Sequence, residues 1–156
     1  MAAIAPPSGV SHIAICVRSL DQSLAFYRDL LGCEVVKDEM QDTRSGGLPH
    51  VYKDNHASRR VVHLRYGAGA AAPVLVMTEH PGDRVSGEPI MLDQVGISHI
   101  SFTVPDVEAA THILVDRGVE TCGPIDAFKC ADGRIRTVFV RDPDGILVQL
   151  DEGLGG

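Results

Sequence analysis

The chain has 156 residues, enough for one domain with a substantial core, and its 44% hydrophobic and 22% charged residues are ordinary for a globular protein. Its 21 acidic and 14 basic residues give a formal charge of −7, which disfavours binding to the phosphate backbone of nucleic acid. No signal segment opens the sequence and no apolar run approaches the roughly 20 residues that span a bilayer, so we expect a cytoplasmic protein without nucleic-acid or membrane partners.

The most prominent pattern is an internal repeat. Residues 10–17, VSHIAICV, return as residues 97–104, ISHISFTV, at an offset of 87 residues. A repeat of this length indicates two similar supersecondary units, each with a hydrophobic face to bury. We therefore expect a first module over residues 9–80, a linker over residues 81–94 and a second module over residues 95–152.

The first module opens with a strand and continues with a helix. Ser19 and Gln22 have the spacing of a capping box, and Gly32 supplies the left-handed residue that ends the predicted helix. Three more strands are expected, at residues 33–40, 60–66 and 73–79. The polar stretch over residues 41–58 predicts a long loop, which in a compact domain is usually functional or mobile.

The second module repeats this order. Asp106 can cap a helix that ends near Gly118, and the turn sequence DPDG at residues 142–145 joins the last two strands. The extended segments after the helix are expected at residues 120–129, 134–141 and 146–151. Each module is therefore predicted to be βαβββ.

A histidine is the polar residue within each of the two repeated strands. Because side chains alternate along a strand, His12 should share a face with Ala14 and Cys16, and His99 with Ser101. A single histidine in such a position is usually a packed core residue. Two at matched positions of a repeat favour a shared metal site.

Further metal ligands are expected from the last strand of each module. In the second module Gln149 is the polar residue of the apolar run, and Asp151 shares its face. In the first module we expect Leu75, Met77 and Glu79 to face the same centre, so that only Glu79 could bind. The carboxamide of Gln149 is a weaker ligand than a carboxylate, since it adds no negative charge.

Other cysteines and histidines are predicted to be structural. The four cysteines show no CxxC spacing, so no disulfide is expected, and Cys16 and Cys33 should pack as small apolar residues. His63 and Tyr66 should lie on opposite faces of one strand, so at most one of them can face the site. His56 and His80 are expected to be solvated loop residues.

Several motifs resemble those of the vicinal oxygen chelate superfamily, also called the glyoxalase, bleomycin-resistance and dioxygenase superfamily. They are the first strands SHIAI and SHISF, the helix segment SLAFYRDLLG and the closing segment VRDPDGILVQL, and together they extend from Val10 to Asp151. The resemblance implies an α+β fold in which two βαβββ modules form a cup-shaped, barrel-like mixed sheet around a divalent metal. It also implies a homodimer.

The same resemblance implies a set of ligands. His12 and His99 match the histidine ligands of the superfamily, and Gln149 matches a position that is usually Glu. Glyoxalases and epimerases add a donor from the first module, where this chain has Leu75 or Met77, whereas extradiol dioxygenases use two histidines and a glutamate. The implied metal is Fe, Mn, Ni, Zn or Co, or none if Gln149 abolishes binding.

Two functions follow from this resemblance. The first is a metal-dependent enzyme of dioxygenase, lyase or isomerase type, in which the ion polarises oxygens of a small organic substrate. The second is a protein that sequesters a small molecule without chemistry, as in the bleomycin-resistance branch. The retained histidines favour the enzyme. In either case the candidate substrate-binding residues are Leu75, Met77, Ser101 and Asp151.

Overall fold

The computed structural model describes residues 5–67 and 72–153 and has the expected α+β architecture. The chain divides between Ser86 and Gly87 into two compact units, each with its own small sheet. No helix in the described part of the chain is long and apolar enough to cross a membrane. The closure of the two modules into one cup stays a prediction.

In its described residues, the first unit has four strands and one α-helical segment. Strands β1 to β4 comprise His12–Cys16, Glu34–Asp42, Ser58–Arg65 and Val74–Glu79, and helix α1 comprises Leu20–Leu24. The sheet order is β1-β4-β3-β2, with β1 parallel to β4 and the other neighbours antiparallel. The long connection between β2 and β3 contains only a short 3₁₀ turn, Leu48–His50, as the loop prediction requires.

The helical segment of the first unit begins at the predicted cap. The Ser19 hydroxyl accepts a hydrogen bond from the backbone N–H of Gln22, and α1 then continues as a π-helix over Ala25–Leu30. Tyr27 is fully buried, as expected for the apolar stripe of this helix. Gly32, at φ +75°, ends the segment in the left-handed conformation that favours glycine.

The prediction of which β4 side chains share the face of His12 is wrong by one residue. Leu75 and Met77 are 1% and 0% exposed, and they lie on the side of the sheet against which α1 packs. The register pairs His12 with Val74 and Ala14 with Val76, so these valines share the face of His12. Leu75 and Met77 are therefore core residues of the helix-covered face and not neighbours of His12.

Within residues 87–153, the second unit has a three-stranded sheet. Strands β5, β6 and β7 comprise His99–Thr103, Thr137–Arg141 and Leu147–Asp151, in the order β5-β7-β6, and helix α2 comprises Val107–Asp116. As in the first unit, the first strand is parallel to the last. The helix begins where predicted, since the Asp106 carboxylate accepts from the backbone N–H of Ala109 at 2.8 Å.

The first predicted strand after α2 is not a regular strand. Residues 120–129 contain the 3₁₀ turn Ile125–Phe128. Their isolated bridges join Thr121 to Val140 of β6 and Lys129 to Ile135, which precedes β6. The βαβββ expectation for this unit therefore corresponds to βαββ with an irregular segment. Asp126 and Pro124 are poor strand formers, which explains the interruption.

Candidate functional site

His12 presents its ring on an exposed face of the first sheet. Its neighbours on β4 are apolar, because Val74 and Val76 of that strand share its face. The hydroxyl of Ser11 lies 2.9 Å from Nδ1 of His12. This contact occupies Nδ1 and leaves Nε2 as the ring atom that can bind a ligand.

His63 lies on the same face as His12, because the register pairs it with Val76 on the intervening strand. Burial, the Lys37 ammonium and His12 lower the pKa of His63, and Glu39 opposes them. Its imidazole is therefore a neutral ligand or proton acceptor near neutral pH. The sequence showed only that either His63 or Tyr66 could occupy this face, and the alternation of β3 assigns it to His63.

His99 repeats the arrangement of His12 in the second unit. The hydroxyl of Ser98 lies 2.8 Å from Nδ1 of His99, the same contact that Ser11 makes with His12. The ring also packs edge-to-face on Phe139, with centroids 5.3 Å apart. The Ser-His pair of the repeat thus has one geometry in both units, with Nε2 the remaining ring atom in each.

Gln149, Ser101 and Asp151 lie on the face of His99, as the alternation predicted. Gln149 pairs with Ser101 on β5, and its amide donates to the hydroxyl of Thr137 at 2.7 Å. Asp151 accepts from the Ser101 hydroxyl at 2.5 Å and from the backbone N–H of Gly153 at 2.7 Å. The carboxylate of Asp151 is therefore engaged locally, whereas the carbonyl oxygen of Gln149 is the atom of its group that can bind a cation.

Glu79, the other carboxylate considered for the first unit, serves the helix instead. Its Oε2 accepts from the backbone N–H of Leu20 at 3.3 Å, at the N-terminus of α1. It shares the face of Met77, since side chains alternate along β4. A negative charge in this position stabilises the exposed N–H groups of the first turn. Glu79 is thus not on the face of His12.

An apolar cavity of about 280 Å³ adjoins the His99 face within the second unit. Its lining includes Phe139, which contacts the His99 ring, and Leu147, which pairs with His99 across the sheet. Phe128, Met91 and Cys122 supply further apolar surface. A cavity of this kind can hold the body of a compact organic molecule.

The residues present fit a metal only in part. No group of three or more His, Cys, Asp or Glu side chains in residues 5–67 and 72–153 is placed to hold an ion. The candidate donors are the Nε2 atoms of His12 and His99 and the amide oxygen of Gln149, which together carry no negative charge. Such a neutral set suits a borderline divalent ion such as Zn²⁺ or Fe²⁺ better than Mg²⁺ or Ca²⁺.

Two predictions about individual side chains are wrong in the first unit, and one is confirmed. Cys33 is 4% exposed, as expected, but Cys16 is exposed. His80, expected to be solvated, is only 6% exposed. His80 is buried because the rings of Tyr52 and His56, from the loop between β2 and β3, pack on it, a contact between residues distant in the sequence. Cys16 lies instead on the exposed face of β1 that carries His12.

Two curated relatives of the chain are enzymes of different activity. The chain is 26% identical over 152 residues to lactoylglutathione lyase of Schizosaccharomyces pombe, a match that covers 90% of this chain and 46% of the relative. The chain thus spans about half the length of that protein. It is also 26% identical over 145 residues to ethylmalonyl-CoA/methylmalonyl-CoA epimerase of Cereibacter sphaeroides, covering 92% and 96% of the two chains.

The fold is shared with solved structures. A glyoxalase family protein from Bacillus cereus superimposes with a TM-score of 0.74 at 18% identity, covering 99% of this chain and 100% of the other. A sequence model of the Glyoxalase/Bleomycin resistance protein/Dioxygenase superfamily matches residues 9–150, nearly the whole chain. The chain therefore belongs to the Glyoxalase/Bleomycin resistance protein/Dioxygenase superfamily.

Proposed function

We propose that the chain is a metal-dependent enzyme of lyase, isomerase or dioxygenase type that acts on a small oxygen-bearing organic molecule. His12, His99 and Gln149 are the proposed ligands of one divalent ion. The observation that carries the proposal is the repeated Ser-His contact, which leaves Nε2 available in both units. The assignment of both rings to one ion rests on the sequence repeat and on the family.

The chemistry of the ion would be that of a Lewis acid that polarises the substrate oxygens. The chain itself supplies the binding energy and the orientation. The apolar cavity beside Phe139 and Leu147 takes the body of the substrate, and Ser101 and Asp151 offer polar contacts on the same face of the second sheet. The names of the two curated relatives refer to lactoylglutathione and to ethylmalonyl-CoA or methylmalonyl-CoA, and compounds of these two kinds are the first to test.

The test is elemental analysis of the full chain purified without chelator or added metal. Replacement of His12 or His99 by alanine should remove stoichiometric metal, whereas His112→Ala, a matched change of an exposed histidine on α2, should not. Circular dichroism controls for folding. Full metal occupancy in the His12→Ala, His99→Ala double variant would contradict the proposal.

Sequestration of a small molecule without chemistry is the second candidate. Two observations favour it: Val74 and Val76 occupy the positions beside His12, and Gln149 brings no charge. Calorimetry with catechols, 2-oxo thiohemiacetals, acyl-CoA esters and aromatic antibiotics separates the two functions. An enzyme should lose affinity for its oxygen-bearing ligand when the metal is stripped. A ligand bound equally by both forms and recovered unchanged would identify a sequestering protein. The proposed homodimer can be tested by light scattering on the same samples.

A further inference from the structure

A second cluster of reactive side chains lies in the first unit, at the opposite end of β1 from His12. Cys16 is the last residue of β1, and His80 follows the last residue of the neighbouring β4. Tyr52 and His56 come from the long connection between β2 and β3, and their rings lie 5.2 Å and 4.0 Å from that of His80. None of these side chains has a part in the proposed metal site.

The central contact joins a thiol to an imidazole. The Sγ atom of Cys16 lies 3.9 Å from Nδ1 of His80, within hydrogen-bonding distance for sulfur. The thiol belongs to an exposed residue, whereas His80 is buried. Nε2 of His80 is also buried and has no hydrogen-bond partner within residues 5–67 and 72–153, so the ring nitrogen that is in contact with a polar side chain is Nδ1, beside Cys16.

The surroundings keep His80 neutral. Burial lowers the pKa of His80, and the neighbouring His56 and the Arg59 guanidinium lower it further, against a smaller opposing effect of Asp83. Asp83 is instead paired with His56, whose Nδ1 lies 2.8 Å from its Oδ2. A neutral imidazole at neutral pH can accept a proton from a thiol in contact with it.

The other three cysteines lack this arrangement. Burial raises the pKa of the Cys33 thiol to about 11 and also raises that of Cys122, so both are poor nucleophiles. Cys130 is exposed and lies beside the Arg136 guanidinium. Among the described residues it has a cationic neighbour but no histidine in contact, which makes it a reference for Cys16.

We propose that Cys16 is a nucleophilic thiol, with His80 as its base, that adds to soft electrophiles such as α,β-unsaturated carbonyl compounds. In this step Sγ forms a bond to the β-carbon of the electrophile, and the thiol proton passes to Nδ1 of His80. The carbon–carbon double bond becomes a single bond, and its electron pair forms the bond between the α-carbon and that proton. The sum is an addition that needs no oxidant and releases no group.

The proposal is tested on the full chain with N-ethylmaleimide, whose activated double bond reports this reaction. Limited labelling followed by peptide mass spectrometry should find the adduct on Cys16 first, at a rate roughly a hundredfold above that of Cys130, which is the lower end of the effect of a positioned base. His80→Gln should abolish this advantage, and Cys130→Ser should leave it unchanged.

The pH dependence of labelling distinguishes a role of His80 as a base from a purely structural role. In the wild-type chain, labelling of Cys16 should rise with the deprotonation of His80, at a pH below the ordinary histidine value of 6.5. Labelling of Cys130, which has no contact with His80, should not follow the deprotonation of His80. Among the described residues, the charged and titratable groups around His80 are Cys16, Tyr52, His56, Arg59 and Asp83.

Equal labelling rates at Cys16 and Cys130, or a Cys16 rate unchanged by His80→Gln in a folded protein, would overturn the proposal. If His80→Gln does not fold, the wild-type pH profile decides, and a Cys16 profile that follows that of Cys130 would overturn it. Neither outcome bears on metal content, which tests the proposed function separately.

Discussion

The side-chain amide of Gln149 donates a hydrogen bond to the hydroxyl of Thr137, over 2.7 Å across the antiparallel pair β6 and β7. The contact fixes the carboxamide on the face of the second sheet that also carries His99. It uses one of the two amide N–H groups and leaves the carbonyl oxygen, the only acceptor atom of a carboxamide, as the atom that can bind a cation. Gln149 can therefore offer a cation one neutral oxygen donor on the face of His99, without adding charge.

Changing the charge at Gln149 should change metal affinity in a definite direction. Gln149→Glu adds a negative charge beside the ion and keeps a partner for the Thr137 hydroxyl, so we expect tighter binding. Gln149→Leu removes the oxygen and should weaken binding. Competition with a chelator measures both variants against the wild type, and equal affinity in all three proteins would show that Gln149 is not a ligand.

The register of β4 predicts a sharp difference between adjacent residues. Met77 is fully buried against α1, so Met77→Ala should lower the free energy of unfolding by about 2–5 kcal/mol. Val76 is half-buried on the opposite face, so Val76→Ala should lower the free energy of unfolding by about 1 kcal/mol or less. Urea denaturation measures both. A larger loss for Val76→Ala than for Met77→Ala would contradict the observed register.

Asp142 should be important to the turn that precedes β7. It is 5% exposed, and its Oδ1 accepts from the backbone N–H groups of Asp144 and Ile146 at 2.9 Å and 2.8 Å. Asp142→Ala removes both acceptors and should cost about 1–3 kcal/mol of unfolding free energy. Asp142→Asn retains a carbonyl oxygen and should be milder. Equal stability of the alanine variant and the wild type in urea would refute this role.

The carboxylate of Asp132 should titrate at unusually low pH. Hydrogen bonds from the Arg136 guanidinium and from the Arg134 backbone N–H lower the pKa of Asp132 from 3.8 to about 2. The positive charges of the two arginine side chains act in the same direction. The ion pair therefore favours the folded state above pH 3.8, and this contribution is lost as the pH falls toward 2. Carboxyl ¹³C shifts follow the titration directly.

Arg136→Gln should return the midpoint of Asp132 toward 3.8, while Asp126, whose pKa is lowered by Lys129, should not move. An unchanged Asp132 midpoint in this variant would mean that the guanidinium is not the cause.

Local signals in the sequence located most of the framework. The Ser19 and Asp106 caps, Gly32 and the DPDG turn each act on a few neighbouring residues, so their patterns could be interpreted without the rest of the chain. Alternation also placed Gln149 and Asp151 on the face of His99, because that strand contains polar residues that mark its phase.

The phase of β4 could not be predicted in the same way. Its run Val74 to Met77 is apolar on both faces, and such a run has no period from which to choose the buried side. The pairing of Cys16 with His80 escaped prediction for a different reason. It depends on a parallel alignment between β1 and β4 that no local pattern records.

The parallel pairing of the first and last strands has a consequence for the order in which each unit folds. The pairing of His12 with Val74, and that of His99 with Leu147, joins residues that are far apart in the sequence. By contrast, β2, β3 and β4 follow one another along the chain and pair as antiparallel neighbours. Loop-closure entropy delays distant pairings, so we expect β1 and β5 to dock last. Each is also an edge strand of its sheet. The strands that bear the two histidines should therefore exchange their amide hydrogens soonest, and native-state stability at the candidate ligands should be lower than in the centre of either sheet.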